Sequence, residues 1–123
     1  MKGKLMIVDD EKDVREMIRS HFELRQYKVF TAQDGQEGLQ IAEQEKPQLV
    51  MMDIKMPRLD GDEMLARLHH VLPKTAKFIV VTAYNDQRIK DRVAKIGCDA
   101  YFEKPVSISE LQKKVEELLK ASN

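Results

Sequence analysis

The chain has 123 residues, 42% hydrophobic and 34% charged with only 6% aromatic, which fits one soluble globular domain with an aliphatic core and leaves no room for a second folded unit. Its 21 Lys and Arg balance 21 Asp and Glu, so overall charge gives no reason to expect nucleic acid or an anionic membrane surface as partner, and protein partners are the default. No apolar run approaches the roughly 18 residues of a membrane helix, Met1-Lys2-Gly3-Lys4 lacks the apolar stretch of a signal peptide, and the lone Cys98 cannot form an internal disulfide, so a cytoplasmic protein is expected.

Along the chain, the run Leu5-Met6-Ile7-Val8 reads as a first strand covered on both faces, because it does not alternate with polar residues. Val14, Met17, Ile18 and Phe22 then paint one stripe of a helix. Lys28-Val29-Phe30-Thr31, rich in strand formers but flanked by polar residues, suits an edge strand. Leu39 and Ala42 mark a second helix that stops at Lys46-Pro47, and Leu49-Val50-Met51-Met52 is the next buried run. Met64, Leu65, Leu68 and Val71 form a helical stripe ending before Pro73, followed by the strand Phe78-Ile79-Val80-Val81. Ile89, Val93 and Ile96 lead to a stop at Gly97, with Cys98 behind it as a small half-buried thiol. Ala100-Tyr101-Phe102 is the last strand, and Ile108, Leu111, Val115 and Leu118 the last helical stripe.

Strand then helix, five times over, implies right-handed crossovers and a parallel sheet between helical layers. The expected fold is an α/β three-layer sandwich of the flavodoxin-like (βα)5 type with strand order 2-1-3-4-5. One domain covers residues 1–123, with no output domain expected after Pro105.

In such a sheet, ligands bind beyond the carboxyl ends of the strands where strand order reverses. Asp9 and Asp10 follow the first strand, Asp53 the third, Thr82 the fourth and Lys104 the fifth, so all should converge on one rim. Three crowded carboxylates repel, and they need raised pKa values or a cation among them. An oxygen-only, open site suits Mg²⁺. Thr82 and Lys104 would supply a hydroxyl and an ammonium to a transferred phosphoryl group, with Asp53, at the end of the central strand, as the attacking carboxylate.

Ile7-Val8-Asp9-Asp10-Glu11, Met52-Asp53-Ile54-Lys55-Met56-Pro57 with Asp60-Gly61, Val81-Thr82-Ala83 and Lys104-Pro105 resemble, in order and at spacing, the landmarks of response-regulator receiver domains. The resemblance implies a two-component switch that is no enzyme on other substrates but assists its own phosphorylation and dephosphorylation. Asp53 would be the phosphoacceptor, with Asp10 and Asp53 as direct Mg²⁺ ligands, Asp9 assisting in part through water, and the backbone carbonyl of Lys55 completing the set. Lys104 would contact the phosphoryl group, and its bond to Pro105 would be cis. Thr82 would shift towards the phosphoryl group, and Tyr101 would turn into the space it leaves. The implied partners are a sensor histidine kinase or histidine phosphotransfer protein and a downstream protein target, with the chain itself a monomer.

Each residue also has a plainer reading. Asp9-Asp10 could cap the first helix, Thr82 could close a turn, Lys104 could be solvated and Tyr101 a half-buried core residue. His69-His70 and His21 read as solvated helix surface, since adjacent helical residues point about 100° apart and cannot share one ligand geometry. An aspartyl-nucleophile phosphatase would want a second Asp where Lys55 stands, and a flavin module would want a hydroxyl-rich loop where the acids lie. Within the receiver reading, Lys55 and Thr82-Ala83-Tyr84 resemble the single-domain receiver type of the sporulation phosphorelay, although that type carries a histidine where Tyr101 stands. A phosphorelay intermediate is therefore expected, with a chemotaxis-type endpoint regulator as the alternative. Lys55 and Tyr84 are expected to shield the acceptor from water and to lengthen the life of its acyl phosphate.

Overall fold

A computed structural model describes residues 2–55 and 61–121. Five strands alternate with five helices: β1 (Gly3–Val8), α1 (Lys12–Glu23), β2 (Tyr27–Ala32), α2 (Gly35–Glu45), β3 (Leu49–Met52), α3 (Gly61–Val71), β4 (Lys77–Thr82), α4 (Gln87–Ile96), β5 (Ala100–Glu103) and α5 (Ile108–Ala121). The strands form one parallel sheet in the order β2-β1-β3-β4-β5, as expected.

The two-residue period of a strand explains the two cores. Met6, Val8, Val50, Met52, Phe78 and Val80 point to one face, where Ala42, Met64, Leu65, Leu68 and Val93 bring α2, α3 and α4 against them. Leu5, Ile7, Leu49, Met51, Ile79 and Val81 point to the other, covered by Ile18 and Phe22 of α1 and Leu111 and Val115 of α5. With both faces covered, the inner strands have no polar side to show, which is why they read as unbroken apolar runs. The outer strands β2 and β5 are only partly buried over most of their length.

Helix ends follow local chemistry. Asp34 caps α2 by accepting from the Glu37 amide at 2.9 Å, and Asp86 caps α4 by accepting from the Arg88 amide at 2.8 Å. α2 stops at Lys46, which takes a left-handed conformation with φ 49°, and α4 stops at Gly97 with φ 126°. α1 does not use Asp9-Asp10 as its cap, the plainer of the two readings of those residues. Its N-cap is Glu11, with no side-chain cap bond, while Asp9 lies further back in the turn.

His69 and His70 are exposed, as expected, and His21 is half-buried, but two of these histidines also make tertiary contacts. Nε2 of His69 hydrogen-bonds the Gly97 carbonyl at 2.8 Å, and the ring lies 4.3 Å from that of Phe78, so it fastens α3 to the turn after α4. His21 Nε2 meets Gln112 Oε1 at 2.7 Å, joining α1 to α5. Neither interaction was visible to a periodicity argument, because both partners lie far away in sequence.

Met56, Pro57 and Asp60 of the second motif lie outside the described residues. Gly61, which opens α3, shows what that motif demands physically. Its Cα lies against the backbone of Ile54, and a Cβ there would collide with Ile54 main-chain atoms, which cannot step aside as a flexible side-chain tip could. Gly61→Ala is therefore expected to destabilise the fold by about 1–3 kcal/mol through overpacking. Urea unfolding should show a lower midpoint at unchanged m-value.

Candidate functional site

The chain leaves β1 to form the outer strand β2, then returns to β3 on the opposite side of β1, so strand order reverses between β1 and β3. The crevice at the carboxyl ends of these strands is where the sequence-selected residues meet. Backbone bonds extend the ladders one residue past the strands: the Asp9 amide donates to the Ala32 carbonyl at 3.1 Å, Asp53 to Val8 at 3.0 Å and Lys104 to Thr82 at 2.8 Å. The main chain thus fixes three functional side chains before any contact between them is made.

Those side chains interlock. Lys104 Nζ lies 2.9 Å from Asp9 Oδ2, 2.9 Å from Asp53 Oδ2 and 2.9 Å from Glu11 Oε1. The other oxygen of each aspartate accepts the amide two residues on, Asp9 Oδ1 from Glu11 and Asp53 Oδ1 from Lys55, both at 2.9 Å. Arg15, one turn into α1, donates from its guanidinium to the Asp9 carbonyl at 2.8 Å. The Lys104–Pro105 peptide is cis.

Burial makes these charges matter. Asp9 is 3% exposed and Asp53 5%, and Thr82 is fully buried, whereas Asp10 and Glu11 are open to solvent. Burial pushes the Asp9 carboxyl above its ordinary range, and the Lys104 hydrogen bond and Glu11 amide only partly oppose it. For Lys104, burial works to lower the pKa, but the hydrogen bonds it donates to Asp9, Asp53 and Glu11 outweigh it and hold the ammonium well above the usual lysine range. The two shifts describe one imbalance: Lys104 gains from its acids more than a buried acid gains from a lysine it must share.

Carboxylate oxygens of Asp9, Asp10, Glu11 and Asp53 all lie within 4.8 Å of one another. At neutral pH they carry several negative charges around one ammonium, and every donor is an oxygen. That set fits a hard divalent cation, which would neutralise the excess that Lys104 leaves.

The far wall of the site is aromatic. Lys55 Nζ lies 5.7 Å from the centroid of the Tyr84 ring, in cation–π range. The Tyr101 hydroxyl donates to the Tyr84 carbonyl at 2.9 Å, and Lys90 Nζ lies 5.6 Å from the Tyr101 ring centroid. Thr82 ends β4 with its hydroxyl at a long 3.5 Å from the Tyr84 amide. Tyr101 also packs against the α2–α3–α4 side of the core. Its hydroxyl thereby ties β5 to the β4–α4 turn.

Residues 5–116 match the family model described as the response regulator receiver domain. The chain belongs to that family. This receiver is 33% identical over 119 residues to sporulation initiation phosphotransferase F of Bacillus subtilis, covering 97% of the chain and 95% of that protein. It is 34% identical over 125 residues to the alkaline phosphatase synthesis transcriptional regulatory protein PhoP of the same organism, covering 99% of the chain but 50% of that regulator. A CheY-like receiver domain protein from Methanospirillum hungatei superposes with a TM-score of 0.92 at 33% identity, over 97% of this chain and 94% of that one. The receiver takes part in two-component signalling, and no described helix is long and apolar enough to cross a membrane.

Glu11 and Arg15 were not singled out from sequence, yet one meets Lys104 and the other fastens Asp9. Glu11 was legible as the third acid of its run. Arg15 was not, because its contact is with a main-chain carbonyl. Lys104 holds the buried acids together, so Lys104→Met, assayed in urea without divalent cations, is expected to cost about 2–4 kcal/mol by leaving buried charge uncompensated. Adding Asp9→Asn should recover part of that loss.

Proposed function

We propose that the chain takes a phosphoryl group on Asp53 from a phosphohistidine donor and acts as an intermediate in a cytoplasmic phosphorelay. The observation that carries this reading is the convergence of Asp9, Asp53 and Lys104, each held by a backbone bond past its strand and all joined at Lys104 Nζ. Asp9, Asp10, Asp53 and the Lys55 carbonyl would hold Mg²⁺, which supplies positive charge to the phosphoryl oxygens when bound.

The Asp53 carboxylate attacks phosphorus as the nitrogen–phosphorus bond of the donor histidine breaks, leaving an acyl phosphate and the free imidazole. Lys104, already in contact with Asp53 Oδ2, neutralises a developing phosphoryl oxygen, and the buried Thr82 hydroxyl hydrogen-bonds another. Little else is asked of the protein, because phosphoryl transfer depends mainly on alignment and charge. The donor docks beside α1, where Val14, Met17, Val81, Pro105 and Val106 line an apolar hollow of about 380 Å³ whose polar edge is Glu11 and Lys104. Met17 is 47% exposed there, an apolar contact for a partner helix.

The added charge draws Thr82 towards the acceptor and biases the α4–β5–α5 face through Tyr84 and Tyr101, and a coupling of roughly 1–3 kcal/mol is enough to regulate a partner. A relay role is supported by the near full-length match to a sporulation phosphotransferase. An endpoint role has one observation in its favour, the tyrosine at position 101 that ties the switch face to the β4–α4 turn.

Incubation with Mg²⁺ and acetyl phosphate should add one phosphoryl group by intact mass, and Asp53→Asn should abolish the gain. Retention of the gain in Asp53→Asn, or steady turnover of phosphoesters, would overturn the assignment. Lys55 and Tyr84 flank the acceptor and restrict water, so Lys55→Ala and Tyr84→Ala should each shorten the life of the acyl phosphate about two- to five-fold. Decay of the phosphorylated species after donor removal measures this.

A further inference from the structure

The β4–α4 turn carries the Tyr84 ring to within 5.7 Å of the Lys55 ammonium, two residues after Asp53, and its position depends on what fastens it. Ala83, Tyr84 and Asn85 are all exposed, and the turn buries no side chain of its own that could hold it down. At its far end Asp86 belongs to α4, whose first amides it caps. At its near end the bond from the Tyr84 amide to Thr82 is long, at 3.5 Å. The firm tie at its middle is the Tyr101 hydroxyl, which donates to the Tyr84 carbonyl at 2.9 Å. Tyr101 can bear that load because it sits on β5, paired in register with Val80 of β4, with its ring against the core and the Lys90 ammonium on its face.

We infer that the Tyr101 hydroxyl is a positioning group that holds the Tyr84 ring in reach of Lys55, and thereby sets how long phosphorylated Asp53 resists hydrolysis. The inference rests on the receiver reading above and assigns the lifetime of the modified state to a residue that does not touch it. Hydrolysis requires a water oxygen to attack phosphorus while the bond from phosphorus to Asp53 breaks, returning the carboxylate and releasing inorganic phosphate and a proton. A ring held over the approach by a cation on one side and a hydroxyl anchor on the other excludes that water. A turn released at its carbonyl samples open positions, and the Lys55 contact alone, an exposed cation–π pair at 5.7 Å, is a weak restraint.

The test uses the full chain phosphorylated with acetyl phosphate and Mg²⁺, freed of donor, and followed by intact mass. Tyr101→Phe removes the hydroxyl and keeps the ring, so it should still unfold in one cooperative urea transition, with a midpoint lowered by no more than the loss of one hydrogen bond. Its decay should be about two- to ten-fold faster, the factor that loss of one net hydrogen bond allows. In a Tyr84→Ala background, where no ring remains to be positioned, Tyr101→Phe should add nothing. Unchanged or slower decay in Tyr101→Phe, or the same acceleration with and without the Tyr84 ring, would overturn the inference and leave Asp53 as acceptor. A wild-type chain that gains no phosphoryl group would instead overturn the underlying reading.

Discussion

Everything at the carboxyl rim of the sheet is arranged around one ammonium and the acids that share it. Lys104 lies 2.9 Å from each of Asp9, Glu11 and Asp53, and two of those three acids are nearly buried. Placing like charges so close is unfavourable, and burial adds the loss of hydration. The fold meets that cost with a shared lysine, with amides at Glu11 and Lys55, and with backbone bonds that leave the acids no freedom to separate. The remaining negative charge is a standing demand for a cation. On the proposed reading that local excess is what the chemistry uses, since a cation held there would meet an incoming phosphoryl group beside the Asp53 carboxylate.

The rest of the molecule serves that rim. An aliphatic sheet covered on both faces gives rigid strands whose ends stay in register, so Asp9, Asp53 and Lys104 reach one place from positions far apart in sequence. The helices contribute at single points. Arg15 of α1 holds the Asp9 carbonyl, and Gly61 lets α3 start against the Ile54 backbone, one residue beyond Asp53. On the opposite side, the Tyr84 and Tyr101 pair joins Lys55, two residues after Asp53, to a half-buried edge strand. On the proposed reading, that bond from a side chain to the backbone of the turn is the route by which a change at the rim reaches the surface.

Much of this was legible in the sequence because it depends on period and punctuation. Buried strands announce themselves as apolar runs, and the strand-then-helix alternation leads to one sheet order whose rim collects the acids. What sequence could not show were contacts whose partners carry no pattern. His69 with the Gly97 carbonyl, His21 with Gln112 and Arg15 with the Asp9 carbonyl each join a polar side chain to an atom or residue with no sequence signature. Asp9-Asp10 illustrates the converse: capping was a reasonable local reading, but the helix starts at Lys12 with Glu11 as its cap residue. Asp9 and Glu11 instead meet Lys104, a partner more than 90 residues away, while Asp10 is open to solvent.

The central claim is that this acid cluster binds a hard divalent cation at one defined place. Mn²⁺ suits the same oxygen donors as Mg²⁺ and broadens nearby nuclear resonances. Titrating substoichiometric Mn²⁺ into the ¹⁵N-labelled chain should erase the amide signals of Asp9, Asp10, Glu11, Asp53, Ile54 and Lys55 first, with Mg²⁺ restoring them in competition. Broadening scattered over other acidic surfaces, or none at those amides, would contradict the account.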